Sequence, residues 1–237
     1  MTTIVAVENL SKRYGSVDAC QDISFVTEAG QCVGLLGPNG AGKTSLLSCM
    51  VGIKLPSDGT VRIDGQPPTH LVGGGALLGY VFDPPSLTTD FTGEGCLVWE
   101  ALAQGLSRET AREAVRQYGI SDYAHRRVGK MSTGQRQRVA IAAALVGDPD
   151  VLILDEPTNG LDIEATRWLR ELIVDRTREG KTTIVSSHQL GEIRRVVDRV
   201  VVVNKTLRYD GPTPEGSAEE MESWYLNMAG REQETIG

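Results

Sequence analysis

Aromatic side chains are scarce in this sequence: three Phe, three Trp and six Tyr, 5% of 237 residues. The core of one large domain or two small lobes must then be filled by aliphatic residues, which the 40% hydrophobic content allows. Long apolar runs are missing too. The longest, Val200–Val203 and Val151–Leu154, have strand length and fall far short of the ~20 residues that span a bilayer. If the protein works at a membrane, another chain must do the crossing. The N-terminus lacks a basic region followed by an apolar run, so no signal peptide is expected. The four cysteines (20, 32, 49, 96) show no CxxC or other metal spacing. Buried, reduced thiols and a cytosolic compartment are therefore expected. Excess positive charge is absent as well, and the net −7 argues against a general nucleic-acid binder. That charge is uneven. From Glu215 onward six acids (215, 219, 220, 222, 232, 234) face one base, Arg231, and carry −5 of the −7. This stretch reads as a solvated acidic tail helix with a frayed end.

Within the chain, periodicity separates two kinds of region. Ile4–Leu10 alternates like a strand, and Gln31–Leu36 is a short apolar run ending at Gly37, as in a buried strand. Thr44–Val51 reads as a helix closed by Gly52. Strands are expected at Thr60–Asp64 and Leu77–Phe82, the latter stopped by Pro84-Pro85. Thr92–Gly147 then has few β-branched runs and reads as several helices, with an amphipathic segment at Ser107–Tyr118. After Pro149 the strands return at Val151–Leu154, Thr182–Ser186 and Val200–Val203, separated by helices at Ile163–Glu179 and Leu190–Val197. The pattern describes an α/β core interrupted by a helical insert. Its expected parts are residues 1–83 and 149–214 for the core, 84–148 for the helical subdomain and 215–237 for the acidic tail. No internal repeat or low-complexity segment is visible.

Two glycine-bearing loops and one carboxylate pair carry the chemistry. Gly37-Pro-Asn-Gly-Ala-Gly-Lys-Thr44 fits GxxxxGK[ST], with a strand before it and a helix after it. In such a loop Gly37, Asn39, Gly40, Ala41 and Gly42 turn successive backbone N–H groups toward a β-phosphate. Lys43 reaches the β- and γ-phosphates, Thr44 can hold Mg2+, and Ser45 adds a hydroxyl near the α-phosphate. Asp155 ends a strand of four aliphatic residues, beside the loop in a parallel sheet, where it can hold the metal through water. Glu156 follows, points differently, and is the candidate to orient and deprotonate an attacking water. Met131-Ser-Thr-Gly-Gln135 can present N–H groups and a serine hydroxyl at a second helix start. One nucleotide rarely needs two phosphate loops. The second can serve a nucleotide shared with another copy of the chain.

With these motifs in this order, residues 4–211 resemble the nucleotide-binding subunit of an ATP-binding cassette (ABC) transporter. The resemblance implies a P-loop NTPase (RecA-like) α/β core with an N-terminal antiparallel β part and an inserted α-helical subdomain. It implies that Tyr14, in Lys-Arg-Tyr-Gly, stacks on adenine. Ser132, Thr133, Gly134 and Gln135 match the signature that contacts the γ-phosphate of ATP on the opposite subunit. Asn159-Gly-Leu-Asp162 resembles the loop that crosses the dimer interface, and His188 matches the switch histidine at the γ-phosphate. ATP and Mg2+ are the implied cofactors. A separate multi-span permease and a second copy or paralogue of this chain are the implied partners, with no nucleic acid and a place on the cytoplasmic side of the membrane.

Two positions depart from the family pattern. Thr133 stands where the signature usually has its first glycine. Asp83, in Gly79-Tyr-Val-Phe-Asp83, stands where a metal-sensing glutamine is expected. Aspartate keeps an acceptor, loses a donor, is one methylene shorter and adds charge. An acid here resembles the lantibiotic and bacitracin-type exporter branch, as do the Met-Ser-Thr-Gly and Asp-Glu-Pro-Thr-Asn-Gly-Leu-Asp runs. Expected, then, is an ATP-hydrolysing motor that drives a peptide-antibiotic or drug exporter through a groove near Phe82–Leu102. The chain ends soon after the core, which favours an exporter. An importer motor and a soluble or sensing ABC ATPase are the competing readings.

Overall fold

The computed structural model describes residues 3–70, 77–188 and 190–230. An antiparallel sheet begins the chain. Strand β1 (Thr3–Tyr14) lies between β2 (Val17–Glu28) and β4 (Asp58–Ile63). The main sheet has six strands in the order β5 (Leu78–Val81), β6 (Val151–Leu154), β7 (Thr182–Ser187), β3 (Cys32–Leu36), β8 (Arg199–Asn204), β9 (Thr206–Pro212). Its first five strands run parallel, and β9 returns antiparallel as a hairpin from β8.

Strands β3, β6 and β7 are buried along their whole length, as expected of a parallel sheet covered on both faces. Side-chain alternation divides those runs between two cores. Leu36, Leu152, Leu154, Val185, Val200 and Val202 enter one cluster with the helices α2 (Gly93–Ala103), α3 (Arg108–Gln117) and α4 (Thr133–Ala144), and with α5 (Ile163–Arg178). Val33, Leu35, Val151, Ile153, Ile184, Val201 and Val203 enter the other, with helix α1 (Lys43–Met50) and the antiparallel sheet. Few of these residues are aromatic, as the composition requires.

The helical stretch is held at its starts by side-chain caps. Thr92 accepts from Gly95 N, Ser107 from Thr110 N, and Ser132 and Gln135 form a reciprocal capping box on α4. Each such cap is worth ~1 kcal/mol. Gly79 on β5 is what lets α4 approach: a Cβ there would lie 2.3 Å from the Ala144 carbonyl oxygen.

The expected elements are present with most ends shifted by one or two residues; β1 runs on to Tyr14, four residues past the expected Leu10. Two strands escaped the sequence reading. β2 carries a kink at Asp22 (φ 48°) that breaks its alternation, and β9 is only half-buried along most of its length. The helix read at Leu190–Val197 is confined to α6 (Leu190–Ile193). The acidic tail is a helix, α7 (Ala218–Gly230), but not a solvated one. Met221, Tyr225 and Ala229, four apart, are buried in the first cluster, and Asn204 donates to the Ala229 carbonyl. The acids Glu219, Glu220 and Glu222 occupy the exposed face. Counting charge hid the i, i+4 apolar row. Of the tail, 231–237 lie outside the described residues.

Candidate active site

Strand β3 ends in the glycine loop, and α1 starts from it with Gly42 in the left-handed region (φ 95°) as its N-cap. A Cβ on Gly42 would lie 2.2 Å from the Ala19 carbonyl oxygen, so no other residue fits this loop. The loop curls round the Lys43 side chain, which is 6% exposed. Its ammonium donates to the Gly37 carbonyl at 2.7 Å and pairs with Glu156 Oε1 at 3.1 Å. The partial positive charge of the α1 N-terminus adds to it, which makes the loop an anion site before any ligand is considered.

The carboxylates arrive from β6, the neighbour of β7 and one strand removed from β3. Asp155, 2% exposed, accepts from Thr44 Oγ1 at 2.7 Å and from Ser186 Oγ at 2.5 Å. Among the described residues no ion pair reaches this buried carboxylate. Two hydroxyls satisfy its oxygens but leave its charge unbalanced, which suits a cation. Glu156 takes a positive φ of 45°, so its side chain leaves on a different line from that of Asp155. Its second oxygen, Oε2, lies 2.9 Å from His188 Nδ1.

One open cavity of about 530 Å3 gathers these groups. Asn39–Ser45, Asp155, Glu156, His188, Asp83 and Tyr14 all line it. Tyr14 is 40% exposed, with the ammoniums of Lys54 and Lys12 at 4.6 and 5.3 Å from its ring centroid. Asp83 does enter the cavity, where its Oδ2 accepts from Asn159 Nδ2 at 2.8 Å. Neither this bond nor the place of Ser186 in the site is visible in the local sequence. No spacing rule joins residue 83 to 159, or 155 to 186; the sheet order does.

The second loop stays apart: none of Ser132, Thr133, Gly134 or Gln135 lines the cavity. Thr133 is accommodated by Gly160, in that its Cγ2 lies where a Cβ at 160 would be only 3.1 Å away. Arg136 donates to Thr133 Oγ1 and to the Met131 carbonyl, stiffening the turn. Around Gly134 there is room. A Cβ would find its nearest neighbours at 3.8 and 3.9 Å, on Leu161 and Ala165.

A lysine-cored glycine loop, a strand-end carboxylate on the following threonine and a second carboxylate beside a histidine define a P-loop nucleoside triphosphatase. The particular family follows from comparison with known proteins. Residues 20–159 match the model of the ABC transporter family. The Nod factor export ATP-binding protein I of Burkholderia orbicola (strain AU 1054) is 37% identical over 202 residues, 83% of this chain and 66% of that protein. The SkfA peptide export ATP-binding protein SkfE of Bacillus subtilis (strain 168) is 34% identical, over 84% of this chain and 85% of its own length. The zinc uptake system ATP-binding protein ZurA of Listeria innocua serovar 6a (strain ATCC BAA-680 / CLIP 11262) is 32% identical, over 91% and 88%. A solved ATP-binding subunit of an ABC transporter superimposes with a TM-score of 0.84 at 26% identity, covering 95% of this chain and 99% of that one. The chain belongs to the ABC transporter family as an ATP-binding, ATP-hydrolysing subunit. No helix of the described residues is long and apolar enough to cross a membrane.

Proposed function

We propose that this chain is the motor of an exporter for a peptide antibiotic or drug, working as a head-to-tail pair around two ATP. The observation that carries the reading is the separation of the two loops. Lys43, Asp155, Glu156 and His188 share one cavity that Ser132–Gln135 do not reach. A second chain brings its own Ser132–Gln135 over the cavity and supplies the missing phosphate contacts. The room around Gly134 is what an approaching phosphate oxygen needs.

In this reading Gly37–Ser45 hold the phosphates, Tyr14 holds the adenine, and Lys43 exchanges Glu156 for phosphate oxygens. Glu156, released, orients and deprotonates the attacking water, and His188 fixes its carboxylate and reaches toward the γ-phosphate. Thr44 Oγ1 and Asp155 Oδ2, 2.7 Å apart, are hard oxygen donors that fit Mg2+, with Asp83 opening onto the same cavity. Bound Mg2+ supplies charge neutralisation at the transferred phosphate.

Closure drives a separate multi-span permease, which places this chain on the cytoplasmic face of its membrane. A groove of about 320 Å3 beside β5 and α2 is the seat for the permease's connecting segment. Trp99, 61% exposed, with Tyr80 and Leu87 forms its apolar walls, and Glu100 its charged edge. Nod factor export and SkfA peptide export in the names of two relatives support an exporter. The uptake system named for a third supports an importer as the second reading.

The test is Glu156→Gln. Expected are retained ATP binding, hydrolysis reduced on the order of 10²-fold or more, and ATP-dependent dimers by size-exclusion chromatography. Wild-type turnover in that variant refutes the reading. Reconstitution with the permease in vesicles, with cargo followed inward and outward, separates exporter from importer.

A further inference from the structure

Ser186 is fully buried at the end of β7, one residue past the last pairing of that strand with β6 (Leu154 with Val185). Its hydroxyl sits where the site's two carboxylate residues diverge. The Oγ donates its one proton to Asp155 Oδ1 at 2.5 Å and accepts the Glu156 backbone N–H at 2.9 Å. Each half of this arrangement constrains the other. With its proton committed to Asp155, the oxygen has only lone pairs left for Glu156.

We infer that Ser186 is a positioning residue for hydrolysis, one hydroxyl that fixes both the metal-facing carboxylate and the backbone from which the base projects. The inference rests on the assignment of Asp155 and Glu156 made above. Asp155 Oδ2 faces Thr44, and Oδ1 is the oxygen Ser186 holds, so Ser186 sets the rotation of the carboxylate about its Cβ–Cγ bond. Glu156 has φ 45°, a conformation few non-glycine residues adopt, and it persists only where surrounding contacts determine it. The hydrogen bond to Ser186 is one of them. It acts at the backbone, while Lys43 at 3.1 Å and His188 at 2.9 Å hold the carboxylate end. Should a phosphate take Lys43 away from Glu156, the Ser186 bond stays, since it involves neither the lysine nor the glutamate side chain. Ser186 thus carries the aim of the base into the loaded site. It touches no reacting atom.

The experiment compares Ser186→Ala, Ser186→Thr and Ser186→Cys in the full chain, with Glu156→Gln as reference. Far-UV circular dichroism and thermal melting come first. If Ser186→Ala does not fold, Ser186→Cys, close in size and a weak donor, takes its place. Expected for Ser186→Ala is a kcat lower by about 10- to 100-fold, the range typical when a group that orients a metal ligand is removed. ATP affinity in EDTA, read by a fluorescent nucleotide analogue, stays within about twofold of wild type. The tightening of nucleotide binding that Mg2+ produces is reduced. Ser186→Thr keeps the hydroxyl and recovers most of kcat. A kcat within about twofold of wild type in Ser186→Ala overturns the inference. So does a metal-free affinity that falls in step with kcat, or a Ser186→Thr that is folded yet as slow as Ser186→Ala. Glu156→Gln separates the two levels. If it hydrolyses at the wild-type rate, the base assignment itself is wrong. If it is inactive while Ser186→Ala is not, only the role of Ser186 falls.

Discussion

The chain carries two loops suited to phosphate, and they are built on opposite plans. The loop at Gly37–Thr44 is embedded. It joins a fully buried strand to α1, wraps a lysine that is itself buried, and is tied through Thr44 to a carboxylate from another strand. The turn at Ser132–Gln135 is a helix start on the helical part of the molecule. Its hydrogen bonds close on themselves in a capping box, and its nearest strong contacts are Arg136 and the Gly160 loop. The first loop has two carboxylate partners from its own chain, Asp155 on Thr44 and Glu156 on Lys43. The second has spare room and lies outside the cavity. If the two loops are halves of one site in the proposed pair, they are finished to different degrees within the chain, and the open half is where the second chain would dock.

The embedded loop is the easier to break. Lys43→Met removes the ammonium that meets both Gly37 and Glu156, and leaves Glu156 without its cation. ATP hydrolysis measured by phosphate release should fall on the order of 10³-fold. A variant keeping more than about a tenth of wild-type rate breaks the assignment.

The second loop should break differently. Gly134→Asp puts a carboxylate where a partner's phosphate is expected. It should leave ATP binding to the separate chain unchanged and abolish hydrolysis. Mixing inactive Lys43→Met with inactive Gly134→Asp then tests the comparison directly. Half of the random pairs carry one site with both loops intact, so about a quarter of wild-type rate should return. No recovery refutes the shared site. Gly134→Ala sharpens the point: it fits its own chain, so its melting temperature should match wild type while its rate falls about tenfold.

The contrast between the loops was partly visible in the sequence. The order of glycines, Lys43 and Thr44 is local, and so is the apolar run that ends at Asp155; both read correctly because strand, turn and helix start are set by neighbours along the chain. The Ser132–Gln135 capping box is equally local. What did not read were bonds made by sheet order. Ser186 meets Asp155 because β7 lies beside β6, and Asn159 meets Asp83 because β5 lies on the other side of β6. Composition misled once, at α7. There the acids concealed Tyr225, which burial, and next the charge of Glu156, push up to about 12.

Asp83 and Asn159 supply a smaller test, because their hydrogen bond runs from the edge of the helical part to the loop after Glu156. Asp83→Asn keeps an oxygen for the Asn159 amide and loses the charge; Asp83→Gln also lengthens the arm. If the charge matters, both should lower hydrolysis by about three- to fivefold and lower transport with it. Full wild-type activity in both variants would remove any charge-dependent role for Asp83.

The smallest effect concerns how firmly each loop is backed. Cys20 and Cys49 lie in the cluster behind the Gly37–Thr44 loop, and Cys96 in the cluster that includes α4. Burial pushes Cys20 and Cys96 up to about 11, so at pH 8 both are thiols and label only when the structure opens. Cys96, at 7% exposed against 0% for Cys20, should react first with Ellman's reagent, by roughly two- to fivefold in rate. The same shifts set the alkaline limit. A thiol whose folded value is raised binds its proton more tightly in the folded chain. Its stabilising contribution is therefore complete below the ordinary value of 9.0 and is lost as pH climbs from there to about 11. Thermal melting under reducing conditions should show the midpoint falling from about pH 9 upward. If Cys20 labels as fast as Cys96, the backing of the two loops does not differ, and the contrast between them is confined to their surfaces.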